Sequence, residues 1–207
     1  MQTIRGLCPY ICWIEPTGDV EADVRAILAA NGKPGTLRHV LKVAEAALPW
    51  AKRWDLEEEC VAQAALLHDI SAIMRPADML VYAREQSWSL APCEIEYPFL
   101  LHQRVSRALA ARLFSVKDER VLSPIECHTT LRPGCDRYDL TLFLMDKLAW
   151  DKEGVPPYDA LLTQEMEKSP ERAALAYIEY ALKNGLILDP HPDLLAAREY
   201  LRNFLSI

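Results

Sequence analysis

Glycine is scarce in this chain, seven among 207 residues, and no stretch sustains the polar–apolar alternation of a half-buried strand. Sheet-rich folds, which place glycine at bulges and tight corners, fit poorly with that shortage. No apolar run approaches the roughly 18–20 residues that would span a bilayer. The opening MQTIRGLCPYICWIEP is broken by Gly, Pro and Glu and has no apolar centre of the signal-peptide kind. The expectation is a cytoplasmic protein with no membrane partner. Basic charge is short too: 23 Lys and Arg against 30 Asp and Glu leave a formal charge of −7, and an acidic excess repels a phosphate backbone, so nucleic acid is not expected as a partner. Cysteines stand at 8, 12, 60, 93, 127 and 135. The C-x3-C of Cys8 and Cys12 matches neither redox nor zinc-knuckle spacing, so reduced thiols are expected.

What is present is helical periodicity almost throughout, with 51% hydrophobic residues, enough for one continuous core. The pattern predicts an all-α fold. Asp19 caps a first helix that Asn31-Gly32 stops, and Thr36 caps a second, which Pro49 should kink or shorten. A third runs from about Leu56 to Ile70, and Pro76 opens another. SLAPCEIEYP reads as loop. Helices follow from Phe99 to Phe114, from Asp118 to His128 and across YDLTLFLMDKLAWD, then three amphipathic pieces from Tyr158, Pro170 and Pro192. We divide the chain into an N-terminal extension and leading helix, residues 1–35, and a helical domain, residues 36–207, within one domain overall. The C-terminal helices are expected to pack on the bundle, with a homodimer left open. His191, in DPHPD, reads as a surface residue in a Pro-rich turn.

The polar residues inside the apolar helices carry the chemistry. His39, His68, His102 and His128 lie in or at the ends of such helices, Asp69 follows His68 in AALLHDIS, and Asp146 interrupts TLFLMDKLAW. Taken singly, each imidazole has an ordinary explanation as a core side chain bonded to a carbonyl. Taken together, imidazoles mixed with carboxylates are a ligand set suited to iron, manganese or other first-row metals, and the lack of cysteine among them speaks against structural zinc.

The succession Arg38-His39, His68-Asp69, His102, His128 and Asp146, with LRHVLKVAEAA, LHQRVSRALAARLF, IECHTTLRPG and FLMDKLAWDK around it, resembles the HD superfamily of metal-dependent phosphohydrolases. Within it, the chain is similar to the YqeK-type branch of symmetrical diadenosine tetraphosphate hydrolases. The resemblance implies an HD-domain helical bundle with a dinuclear metal site in its core. In that site His39, His68, Asp69 and Asp146 would hold one ion, and Asp69 would bridge to a second held by His102 and His128. His68 and Asp69 would be the catalytic pair. The cofactors implied are two divalent or mixed-valence ions, iron first, with manganese or another first-row metal as alternatives. Two such ions can share a hydroxide acidic enough to attack phosphorus at neutral pH. The implied substrate is a nucleotide polyphosphate, with Arg38, Arg75, Thr129, Thr130, Arg132 and Lys152 as the residues that would contact it. The chain departs from the family in two places: Ala72 stands where the family commonly has lysine, and Met145 where it tends to have a small residue. The extension through Pro34 has no assigned counterpart. Another nucleotide substrate, a monophosphate or a cyclic one, and a non-catalytic nucleotide-binding module stay open.

Overall fold

The computed structural model describes residues 2–150, 152–187 and 189–206, with the backbone alone at residues 2 and 3. Among these the regular structure is all helical: α1 Gln2–Leu7, α2 Val20–Ala30, α3 Pro34–Arg53, α4 Glu58–Leu67, α5 Pro76–Glu85, α6 Pro92–Glu96, α7 His102–Arg112, α8 Glu119–Cys127, α9 Arg137–Leu148, α10 Asp159–Met166, α11 Pro170–Lys183 and α12 Pro192–Leu205. Short 3-10 turns at Ile70–Ile73 and Pro98–Leu101 precede α5 and α7. No helix is long and apolar enough to cross a membrane among the described residues. All six cysteines are free thiols.

The centre is built by α3, α4, α8 and α9 packing on one another, with α7 laid against α8 and α11 against the far side of α9. The burial pattern follows from helical spacing. On α3 the buried residues His39, Val40, Val43, Ala47 and Ala51 form one stripe, and a histidine on that stripe must enter the core with its neighbours. In α9 every residue from Asp139 to Met145 is buried, as expected for a helix with partners on all sides. Asp136 and Asp139 cap α9 reciprocally. Phe143, fully buried, meets Tyr177 of α11 edge to face at 5.5 Å.

Several expectations change. The second helix starts two residues before Thr36, at Pro34. Pro49 lies inside it without ending it, because its face is exposed and water can satisfy the carbonyl its missing N–H would have bonded. The third helix stops at Leu67 and a 3-10 turn takes over from Ile70. SLAPCEIEYP contains a short helix, α6, opened by Pro92 and capped by Glu94 reaching back to the Ala91 N–H. His191 is buried: its Nδ1 accepts the Asp193 N–H at the start of α12, which draws the ring under the turn beside Glu94.

The extension is integrated with the bundle. Ile11 is in the core, and Trp13 and Ile14 pack against it. Cys12 and Asn31 exchange two hydrogen bonds of 2.9 Å, which pin the residues ahead of α2 to the turn after it.

Because the α9 core is filled on every side, Phe143→Ala leaves a void that cannot collapse and should cost about 3–5 kcal/mol. Urea unfolding monitored by circular dichroism measures it, and a cost below about 1 kcal/mol would contradict this packing.

Candidate metal centre

The six side chains singled out from the sequence come from five helices and the turn after α4, and they meet in one place. Three imidazoles are held in the same way. His68 follows the last turn of α4, His128 follows α8 and His102 opens α7. In each, Nδ1 faces the carbonyl three residues earlier: Ala65 at 2.7 Å, Ile125 at 2.9 Å and Phe99 at 2.7 Å. A carbonyl only accepts, so Nδ1 carries the proton and the Nε2 lone pair is left pointing into the shared space.

The Nε2 atoms of His102 and His128 are 2.9 Å apart. Two lone pairs at that separation repel unless a cation or a proton sits with them. Two nitrogens bound at about 2.1 Å to one ion, at a right angle, stand about 3 Å apart. Asp69 turns its two oxygens to different neighbours: Oδ1 is 3.6 Å from Nε2 of both His102 and His128, and Oδ2 is 3.6 Å from Nε2 of His68. Asp146 Oδ1 is 3.0 Å from His39 Nε2 and 3.7 Å from His68 Nε2.

The result is two groups of potential ligands, His39 with His68 and Asp146, and His68 with Asp69 and His128, the donor atoms of each lying within 4.8 Å of one another. His68 is fully buried and its Nε2 has no hydrogen-bond partner. A buried donor or acceptor left in that state is costly, and a metal ion at its lone pair removes the cost. The residues present therefore fit first-row ions, in mixed nitrogen and oxygen coordination.

The charges agree. Burial raises the Asp69 carboxyl, but the His68 charge, the His128 hydrogen bond and the His102 charge outweigh it and hold the group below its usual range. Burial likewise opposes ionisation of Asp146, and Lys147, His39 and His68 overcome it. For His68 burial lowers the pKa, yet the Asp69 and Asp146 charges carry it up to about 9. Burial, with the His68 and His102 rings, brings His128 down to about 4 against the pull of Asp69. In a metal-free site a proton on His68 supplies the counter-charge that the carboxylates demand, and an ion would displace it.

The residues proposed for substrate are more scattered. Thr129 Oγ1 lies 3.1 Å from His102 Nε2. Thr130 is buried, bonded to Gln103 and the Leu131 carbonyl. Arg132 is engaged with Ser123 and Asp139 and stands 3.9 Å from Glu126. Arg75 lies 4.1 Å over the Tyr10 ring and Lys152 5.0 Å over Trp150. Arg38 is exposed and folds back toward Gly35. None of these four cations lines the cleft that opens on Asp69 and His102. Met145 turns into the core, away from that cleft.

The sequence reading passed over two side chains that shape the centre. Lys147, half-buried beside Asp146, donates to its Oδ2 at 2.6 Å and to the His128 carbonyl at 3.1 Å, with the ammonium 4.9 Å over the Phe143 ring. It ties one ligand to the backbone of another. Gln103 accepts the Thr129 N–H at 3.1 Å and donates to Thr130 at 3.0 Å, fixing the turn after His128. Their adjacency to Asp146 and His102 in sequence was the available signal.

A model of the HD domain family matches residues 36–151. The chain belongs to the HD domain family. It is 37% identical over 143 residues to an uncharacterised protein of the pepC 5′ region of Lactococcus lactis subsp. cremoris, covering 69% of this chain and 73% of that one. It shares its fold, at a TM-score of 0.81 and 22% identity, with a predicted HD superfamily hydrolase involved in NAD metabolism from Clostridium acetobutylicum, over 92% of this chain and all of that one. Family, all-α fold and clustered ligands together make this HD-domain protein a metal-dependent phosphohydrolase of the HD superfamily.

Two predictions follow from the centre's electrostatics. With a folded pKa of about 9 against an ordinary 6.5, His68 contributes to the metal-free fold fully below pH 6.5 and loses that contribution as pH rises through 9. The Tm of chelator-treated protein should therefore fall across that window and the fall should flatten in His68→Asn, while affinity for manganese rises over the same range. Lys147→Met should weaken manganese binding about 10–100-fold, as loss of a supporting contact to a ligand does, read by titration calorimetry at unchanged helicity.

Proposed function

We propose that the chain hydrolyses dinucleoside polyphosphates, and that its substrate is diadenosine tetraphosphate, cut symmetrically into two ADP. The observation that carries this reading is the meeting of His39, His68, Asp69, His102, His128 and Asp146 around a shared space next to a cavity of the right character for a nucleoside. That cavity, about 310 Å³, is lined mainly by Tyr97, Phe99, Leu100, Leu186, Ile187 and Leu194, with Thr129, Thr130, Asp189 and His191 also on its wall. Tyr97, Phe99 and Leu186 are large apolar side chains left exposed at its edge, and aromatic and aliphatic walls of this sort suit a purine face. Thr129 joins the cavity to His102.

When bound, two ions, iron in our reading and manganese as the alternative, supply Lewis acidity toward the phosphoryl oxygens and a nucleophile at neutral pH. The chain's own contribution is placement. His39 and His68 with Asp146 would hold one ion, His102 and His128 the other, and Asp69, facing both groups, would bridge them. The backbone carbonyls behind the three imidazoles keep each ring from turning. Thr129 can donate to a phosphate oxygen beside His102, and Arg38, Thr130, Arg132, Arg75 and Lys152 remain proposed contacts for the outer parts of a long substrate. The symmetrical cut itself rests on the sequence resemblance.

A second reading has one observation in its favour. The structural neighbour from Clostridium acetobutylicum is described as acting in NAD metabolism, and NAD too is a pair of nucleosides joined through a phosphoanhydride.

Protein loaded with iron or manganese and incubated with diadenosine tetraphosphate should release ADP alone on ion-exchange chromatography. ATP together with AMP, or no turnover in that assay while NAD is cleaved, would refute the leading assignment. Asp69→Asn should abolish ADP release while leaving helicity unchanged.

A further inference from the structure

We propose that the segment ahead of the HD domain builds a phosphate subsite over the metal centre, and that Lys33 is its cation. The subsite rests on the polyphosphate reading above, and it takes one phosphate of the chain between the nucleosides.

The cleft that opens on the centre has a volume of about 340 Å³ and is walled by Lys33, Asp69, Ala72, Met74, Pro76, Met79, Phe99 and His102. Apart from His102, its charged or titratable wall residues are Asp69 and Lys33. Asp69 faces the imidazoles, so the charge left for a ligand is the ammonium of Lys33. A phosphate entering between two methionines, a proline and a phenylalanine finds no other cation on that wall. Ala72, which also lines the cleft, is a single methyl and leaves room for it.

Lys33 is held where this requires. Helix α2 ends with Gly32 in the left-handed region, φ 66°, and the Lys33 N–H closes the turn on the Leu28 carbonyl at 2.9 Å. A side chain at position 32 would be strained there. Asn31, one residue earlier, is pinned by Cys12, and Pro34 opens α3 immediately after. The backbone on both sides of Lys33 is therefore fixed, and only its side chain is free to adjust.

The helix does not explain the residue. Lys33 occupies the position before α3 where Ser, Thr, Asp or Asn would cap the free N–H groups, and its side chain makes no such bond. Its charge also adds to the positive end of the helix dipole, an unfavourable arrangement that an anion reverses. Lys33 is half-buried, and its ammonium has no ion-pair partner among the described residues. A lysine that neither caps nor pairs, but lines the cleft of a site made for phosphoanhydrides, is accounted for by the phosphate.

The test uses full-length protein loaded with manganese, with inorganic tripolyphosphate as the probe in titration calorimetry and diadenosine tetraphosphate in turnover. Lys33→Gln should weaken tripolyphosphate binding roughly ten- to hundredfold, the scale of one charge-assisted contact, and raise KM far more than it lowers kcat. Metal content and Tm should not change. Lys33→Arg should keep most of the binding, and adding Ala72→Lys to Lys33→Gln should recover part of it by bringing another cation into the same cleft. Wild-type affinity in Lys33→Gln at full metal content would overturn the subsite, as would equal losses in Lys33→Gln and Lys33→Arg. Binding of tripolyphosphate that depends on Lys33, in a protein that cleaves no dinucleoside polyphosphate, would uphold the subsite and remove the substrate assignment instead.

Discussion

Three hydrogen bonds, each joining an imidazole Nδ1 to the carbonyl three residues earlier, set the terms for the rest of this molecule. Each uses a backbone acceptor in the last turn of a helix or of a 3-10 turn, where carbonyls have acceptor capacity to spare. Each also decides a tautomer, and so directs a lone pair inward. Three rings fixed in that way present nitrogen donors at separations that suit metal coordination, without side-chain freedom to be lost when an ion arrives. The helices α4 and α8 each end at the residue just before such a histidine.

The arrangement concentrates more negative and lone-pair character than a core tolerates unaided. Lys147 answers part of it by binding Asp146 and the His128 carbonyl at once, and its own desolvation is eased by the rings of Phe143 and Tyr177 beneath it. The remainder falls to cations from outside. This links packing to chemistry: the apolar contacts of α9 with α11 hold Lys147, Lys147 orients Asp146, and Asp146 reaches His39 across the bundle.

The clustering of these six side chains was legible in the sequence because imidazoles and carboxylates are rare inside apolar helices, and six of them in one order are not readily dismissed as isolated core residues. The all-α class was legible from periodicity and the shortage of glycine. Helix ends were less so: the apolar pattern runs on from Leu67 through Ile70, while the α-helix ends at Leu67 and gives way to a 3-10 turn, a change of backbone that periodicity does not register. His191 was misread for a similar reason, since proline on both sides suggested an exposed turn and the structure uses the ring as a helix cap. Lys33 was invisible. It follows an ordinary Asn-Gly helix stop, and only the fold of residues 8–34 brings it to the cleft that Asp69 also lines.

His39 and Asp146 touch although 107 positions separate them. During synthesis the first of these residues leaves the ribosome long before the second, and contacts of such long range form late. A nascent chain that already displays His39 and His68 thus cannot complete the group that includes Asp146 until α9 has emerged and docked. Completion of that group is thereby tied to closure of the bundle, since its carboxylate arrives only with α9.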